Sequence, residues 1–167
     1  MSSVILVGMM GSGKSTVGRA LAVHLDCPFQ DTDVMLEHRL GRQISQLFDL
    51  YGEEAFRHHE TAVLKSLELQ NRVLATGGGI VLRDENWSEF RRLGRSVFLH
   101  VHVDLLIDRL DRSARRRPLL QTENWEQKLR DLYDFRMPLY RKADIVVDID
   151  ERPIEEVAEA IRQAIER

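Results

Sequence analysis

Short runs of consecutive apolar residues recur along the chain, separated by stretches with helical spacing. Residues 4–7 are apolar, β-branched and ended by Gly8, as in a strand buried on both faces. Residues 14–25 place Val17, Ala20, Leu21 and Leu25 on one helical face. "PFQDTD" predicts a short strand with Asp31 and Asp33 at its C-terminal end, followed by a helix over 34–40 that stops at Gly41. A short helix over 44–50 and a longer one over 53–69 come next. "RVLATGGG" is a strand running into glycines, 84–93 a helix, "SVFLHVHV" a strand and 104–110 a helix. "RSARRRPLLQT" has no apolar period and is a loop; 124–137 is a helix and "ADIVVDI" a last strand. "RPIEEVAEAIRQAIER" closes the chain as a helix, with Pro153 early and Glu155 and Glu156 close behind. Five strands alternating with helices predict an α/β domain, a parallel sheet covered on both faces, spanning 1–167 as one unit. In such folds ligands bind beyond the C-terminal ends of the strands, where both glycine patches and the DTD stretch fall.

Charge and composition narrow the partners. The formal charge of −3 gives no general attraction to nucleic acid or to an anionic membrane, so Arg115-Arg116-Arg117 is read as a local feature. The single cysteine, Cys27, excludes an internal disulfide and suits a reducing compartment. No apolar stretch approaches the roughly 20 residues of a membrane helix. Residues 1–3 lead almost directly into a strand, which leaves no room for a signal peptide. A cytoplasmic protein, monomeric and acting on small molecules, is expected.

Gly8-Met9-Met10-Gly11-Ser12-Gly13-Lys14-Ser15 fits the phosphate-loop pattern G-x-x-x-x-G-K-[ST], with a strand before it and a helix after it. Glycines let backbone N–H groups close on phosphate oxygens, and the helix start adds its positive end. Lys14 can reach the β- and γ-phosphates, and the Ser15 hydroxyl can ligate Mg²⁺. The motif establishes nucleotide binding and leaves the reaction open.

Other stretches bear on the reaction. Asp31 and Asp33, two apart on an extended chain, face the same side. One can serve Mg²⁺ and the other can accept or orient a hydroxyl proton; an Asx turn capping the next helix is the alternative. Gly77-Gly78-Gly79 offers backbone amides and close approach to a ligand, or is a flexible turn. Arg57 in "GEEAFRHHE" can be braced by Glu60 three residues on; Arg136 in "FRMPLYR" sits at a helix end before Pro138. Two arginines near a phosphate site suggest an acceptor with a carboxylate, although each alone also fits a solvated surface position. Arg117 in the basic loop is a candidate to touch the transferring phosphoryl. His100 and His102, like His58 and His59, are expected to be packed histidines rather than metal ligands.

Taken in order, "GMMGSGKSTVGRALA", "DTD", "GRQISQLFDLYGEEAFRHHE", "LATGGG", "RRPLL" and "PLYRKAD" resemble the shikimate kinase family over nearly the whole chain. The resemblance implies a nucleoside-monophosphate-kinase-like P-loop fold, three-layer α/β/α with a five-stranded parallel sheet. It implies substrate-binding helices at about 33–60 and a mobile lid at about 112–122. The implied reaction is ATP-dependent phosphorylation of the shikimate 3-hydroxyl, in chorismate and aromatic amino-acid biosynthesis. Gly11, Ser12, Gly13, Lys14, Ser15 and Thr16 would hold the ATP phosphates, with Mg²⁺ on Ser15 and, through water, on Asp31. Arg117 would touch the phosphates, and Arg109, with Arg152 and Pro153, would lie near the adenine. Asp33 would bind shikimate hydroxyls and serve as base, Arg57 and Arg136 would grip the carboxylate, and Gly78, flanked by Gly77 and Gly79, would contact the substrate. Asp33, Lys14 and Arg117 form the implied catalytic set. A gluconate-kinase-like enzyme and a non-catalytic nucleotide-binding module are the competing readings.

Overall fold

The computed structural model describes residues 2–112 and 122–167. Its strands are β1 (Ser3–Val7), β2 (Phe29–Asp31), β3 (Val73–Ala75), β4 (Gly94–Val101) and β5 (Ile145–Ile149). They form one parallel sheet in the order β2-β3-β1-β4-β5. β1 is central, which is why its residues 4–7 are apolar without alternation: Ile5, Leu6 and Val7 are fully buried. The register sets Leu6 beside Ala75 on β3 and beside Val97 on β4, so β1 and β3 run out together, into the phosphate loop and the glycine triplet.

The helices are α1 (Lys14–His24), α2 (Thr32–Leu40), α3 (Ile44–Ser66), α4 (Asp84–Leu93), α5 (Val103–Arg112), α6 (Trp125–Tyr140) and α7 (Ile154–Glu166). They flank the sheet in a three-layer α/β/α arrangement; α1 packs with α7, and α3 with α4. None of the described helices is long and apolar enough to cross a membrane. The main core joins the sheet to these helices through Leu21, Leu64, Phe90, Phe98, Tyr140 and Ile161. A second, smaller cluster of Leu36, Leu47, Phe56 and Val63 holds α2 against α3.

Three local expectations change. DTD is not an extended strand end: α2 begins at Thr32, and Asp31 caps it by accepting from the Asp33 N–H at 2.9 Å. The break expected between helices 44–50 and 53–69 is present, as a non-helical kink at Gly52 (φ 77°, ψ 170°) within α3, but the second part ends at Ser66 instead of 69. Arg136 is not at a helix end, because α6 continues through Pro138 to Tyr140. Pro138 forfeits the bond to Asp134 O and crowds that turn, yet the helix runs past it. The Arg141 N–H still reaches Met137 O at 3.1 Å.

Candidate active site

The phosphate loop joins β1 to α1. Gly11 (φ 79°) and Gly13 (φ 87°) hold left-handed conformations that a side chain disfavours, and Gly13 caps α1 without a side chain in the way. Lys14 is 9 % exposed and folds its ammonium back onto the loop, donating to Gly8 O at 2.7 Å and Met9 O at 2.9 Å. Ser12 is buried, Thr16 is exposed on the first turn of α1, and Ser15 donates to Asp31 Oδ2 at 2.7 Å. Asp31 thus does two things at once, capping α2 with one oxygen and facing the Ser15 hydroxyl with the other.

The glycine triplet lies beside this loop, and each glycine makes room for a different charged side chain. A Cβ at Gly77 would sit 2.8 Å from Asp33 Oδ1 and 3.0 Å from Glu60 Oε2. At Gly78 it would sit 3.3 Å from Arg136 Nη1, 3.5 Å from Met10 N and 3.6 Å from Gly8 O. At Gly79 it would overlap the Arg57 guanidinium. Gly8 O therefore borders both the Lys14 ammonium and the glycine under Arg136, which brings the phosphate loop and the two arginines into one site.

Arg57 and Arg136 are 8 % and 6 % exposed, so neither is a solvated surface arginine. Arg57 donates to Glu60 Oε1 at 2.7 Å, a pairing that i,i+3 spacing on α3 permits, and lies over the Phe48 and Phe56 rings. Its Nε and that of Arg136 have no hydrogen-bond partner among the described residues, and Arg136 forms no ion pair with them. A cation so buried is costly without an anion, and the shape of a guanidinium suits a carboxylate. Glu60 is fully buried; loss of solvation outweighs the pull of Arg57 and lifts its carboxyl to about 7, with Asp33 pushing the same way.

On the other side of the phosphate loop, Arg109 of α5 reaches Gly11 O and Asp150 O, both at 3.4 Å. Arg152 binds Asp150 Oδ1 through Nε at 2.7 Å. An open groove of about 750 Å³ runs past Leu105, Asp108, Ile149 and Arg152, beside Arg109. Arg117 lies outside the described residues, as does most of the expected lid at 112–122.

Sequence reading missed the polar frame that holds the triplet. The Thr32 hydroxyl accepts from Gly77 N–H at 3.3 Å, which ties DTD to the glycines. Thr76 donates to Leu6 O at 2.8 Å, across to β1. Asn86 donates to Ile80 O at 2.7 Å and accepts from Thr61 at 2.8 Å. Tyr140 donates to Gly78 O at 2.6 Å. One signal was available: Tyr140 follows Arg136 by four residues and so shares its helical face. His100, by contrast, is engaged away from the triplet, by Asp148 at 2.7 Å and Tyr133 at 3.0 Å.

Comparison with known proteins bears directly on this arrangement. The shikimate kinase family model matches residues 10–166. A shikimate kinase of Pseudomonas paraeruginosa is 48 % identical over 169 residues, covering 98 % of each chain. The solved shikimate kinase from Acinetobacter baumannii in complex with shikimate superposes with a TM-score of 0.90 at 41 % identity, covering 98 % of this chain and 92 % of that one. A gluconokinase from Sinorhizobium meliloti shares the fold at a TM-score of 0.61 but only 20 % identity, covering 99 % of this chain and 90 % of that one. From the phosphate loop to the last helix, the chain belongs to the shikimate kinase family.

Proposed function

We infer that this protein transfers the γ-phosphoryl group of ATP to shikimate, at the 3-hydroxyl, giving shikimate 3-phosphate and ADP. One observation carries the reading: two buried arginines meet at a glycine triplet that borders the phosphate loop. A gluconate-like acid also carries a carboxylate, but the family match favours shikimate.

In this reading Arg57 and Arg136 hold the substrate carboxylate and thereby fix the ring relative to the loop. Asp33, against Gly77, orients the reacting hydroxyl and receives or directs its proton as the oxygen–phosphorus bond forms and the β,γ-bridging bond breaks. Lys14 leaves its loop carbonyls for the β- and γ-phosphate oxygens, exchanging neutral acceptors for charged ones. Arg109 and Arg152 flank the groove in which the base would lie. The hard-oxygen pair of Ser15 hydroxyl and Asp31 carboxylate suits Mg²⁺, Ser15 directly and Asp31 through water. That ion, when bound with ATP, neutralises phosphate charge. A cytoplasmic location belongs to the same reading and draws support from the lone cysteine.

The test is ADP release by the purified protein with ATP and Mg²⁺. ADP should appear when shikimate is added and not when gluconate is added. Release without an acceptor, or equal release with gluconate, would overturn the assignment. Failure of shikimate to bind in calorimetry would favour a nucleotide-binding module.

A further inference from the structure

Tyr140 has no part in the substrate, nucleotide or metal roles given above, yet its hydroxyl sits where α6, the glycine triplet and the phosphate loop meet. It is fully buried, on α6, with its ring stacked on Phe98 at 5.1 Å and 19°. Burying a phenol is costly unless its hydroxyl has a partner. The hydroxyl donates to Gly78 O at 2.6 Å and touches Met9 Sδ of the phosphate loop at 3.6 Å. With one proton to give, it gives it to the nearer, stronger acceptor. Burial raises the phenol further above its ordinary value of 10, against the opposing pull of the Arg136 guanidinium that faces the same oxygen and of Arg57, so it remains a donor.

What that bond fixes follows from peptide geometry. The Gly78 carbonyl and the Gly79 N–H belong to one planar trans unit, so holding the oxygen on Tyr140 holds the N–H on the opposite side. Three consecutive glycines have no side chains to restrain that plane, and glycine is the residue freest to rotate it. Neither the Gly78 nor the Gly79 N–H donates a hydrogen bond among the described residues. Both glycines lie against guanidinium groups, Gly78 against Arg136 and Gly79 against Arg57. Amides without partners among the described residues, beside two buried cations, are the chemistry that receives an anion, and the Gly78–Gly79 peptide plane sets where the Gly79 N–H points.

We propose that Tyr140 is a positioning residue for the acid substrate: its hydroxyl locks the Gly78–Gly79 peptide so that the triplet amides and the two arginines meet the carboxylate as one rigid surface. Arg136 and Tyr140, one turn apart on α6, set the cation and the peptide plane from the same helix. This rests on the shikimate kinase reading and adds to it a residue that does not touch the substrate.

The test is Tyr140→Phe, which keeps the ring on Phe98 and removes only the hydroxyl. The KM for shikimate should rise about tenfold, the scale of one lost hydrogen bond, while the KM for ATP stays within about twofold. Leu106→Ala, a buried change in the same core, should lower Tm without altering the ratio of the two KM values. An unchanged shikimate KM in Tyr140→Phe, or an equal rise in both KM values, overturns the proposal. Should Tyr140→Phe fail to fold, Phe98→Leu reads the same hydroxyl by removing its stacking partner. A smaller but still shikimate-selective rise is then expected, and its absence overturns the proposal. Wild-type protein without shikimate-dependent ADP release would instead sink the function itself, so the two failures are distinct.

Discussion

On the proposed reading, the phosphate loop and the carboxylate clamp hold anions by opposite means. The loop is one continuous segment between β1 and α1, and it works mainly with backbone: glycines at φ 79° and 87°, a helix start and one lysine bonded to carbonyls of the same loop. The clamp draws Asp33 from α2, Arg57 and Glu60 from α3, Arg136 and Tyr140 from α6, and arranges them around three glycines after β3. Most of the loop's own bonds lie within its segment, with Arg109 and Tyr140 touching it from outside. The clamp needs four elements packed correctly, so its precision is a property of tertiary structure. The loop should therefore survive damage to the clamp, and substitutions that separate acceptor binding from nucleotide binding should be common around the glycine triplet.

That contrast can be broken most sharply at Asp33. Asp33→Asn should lower kcat by about a thousandfold while calorimetry still registers both ligands, because the amide keeps the shape and loses the charge that takes or directs the proton. Near-normal turnover would remove Asp33 from the chemistry. Next in size is Arg136→Ala, which takes away a buried cation and its paired N–H groups. The Kd for shikimate should weaken about a hundredfold and that for ATP by no more than about twofold. Equal weakening of both would show that the two halves are not separable. A comparison of glycines follows. Gly79→Ala places a methyl on the Arg57 guanidinium and should raise the shikimate KM about tenfold, whereas Gly13→Ala strains a left-handed cap and should act on the ATP KM. A crossed result would contradict the division.

The smallest effect concerns pH. Glu60 keeps its proton to about 7 in the folded protein against an ordinary value of 4.5, so the folded state binds more protons between these values. Its contribution to stability is therefore full below about pH 4.5 and is lost as the pH rises through 7, a loss of roughly 3 kcal/mol at most. In Glu60→Gln that component of the pH profile should vanish. Denaturant titrations of wild type and variant at pH 5 and pH 8 measure the difference, and parallel profiles would show that burial does not hold the proton there.

The sequence made the loop legible because its determinants are contiguous: spacing, lysine and hydroxyl stand within eight residues of one another. The strand–helix alternation was legible for the same reason, since each buried strand is a short apolar run. The clamp was visible as a set of residues but not as an arrangement. Asp31 and Asp33 were placed together on the argument of an extended chain, whereas a helix start at Thr32 brings them to the site. The break in α3 was legible because Gly52 reads as a stop, whereas the packing of Leu47 with Phe56 and Val63 across it leaves no trace in local pattern. Thr32 carried no signal and Tyr140 only its spacing from Arg136, because their partners are backbone atoms of the glycine triplet, far away in sequence; Asn86 bonds the backbone of Ile80 nearby, which no pattern marks.

Lys14 sets its ammonium on two carbonyls of its own loop, Gly8 O and Met9 O. Its donors are satisfied within the loop, so the segment is braced by a charge that it carries itself. On the proposed reading a phosphate oxygen would replace an acceptor that the loop already supplies, and pre-formed segments bind with less of their affinity consumed in ordering.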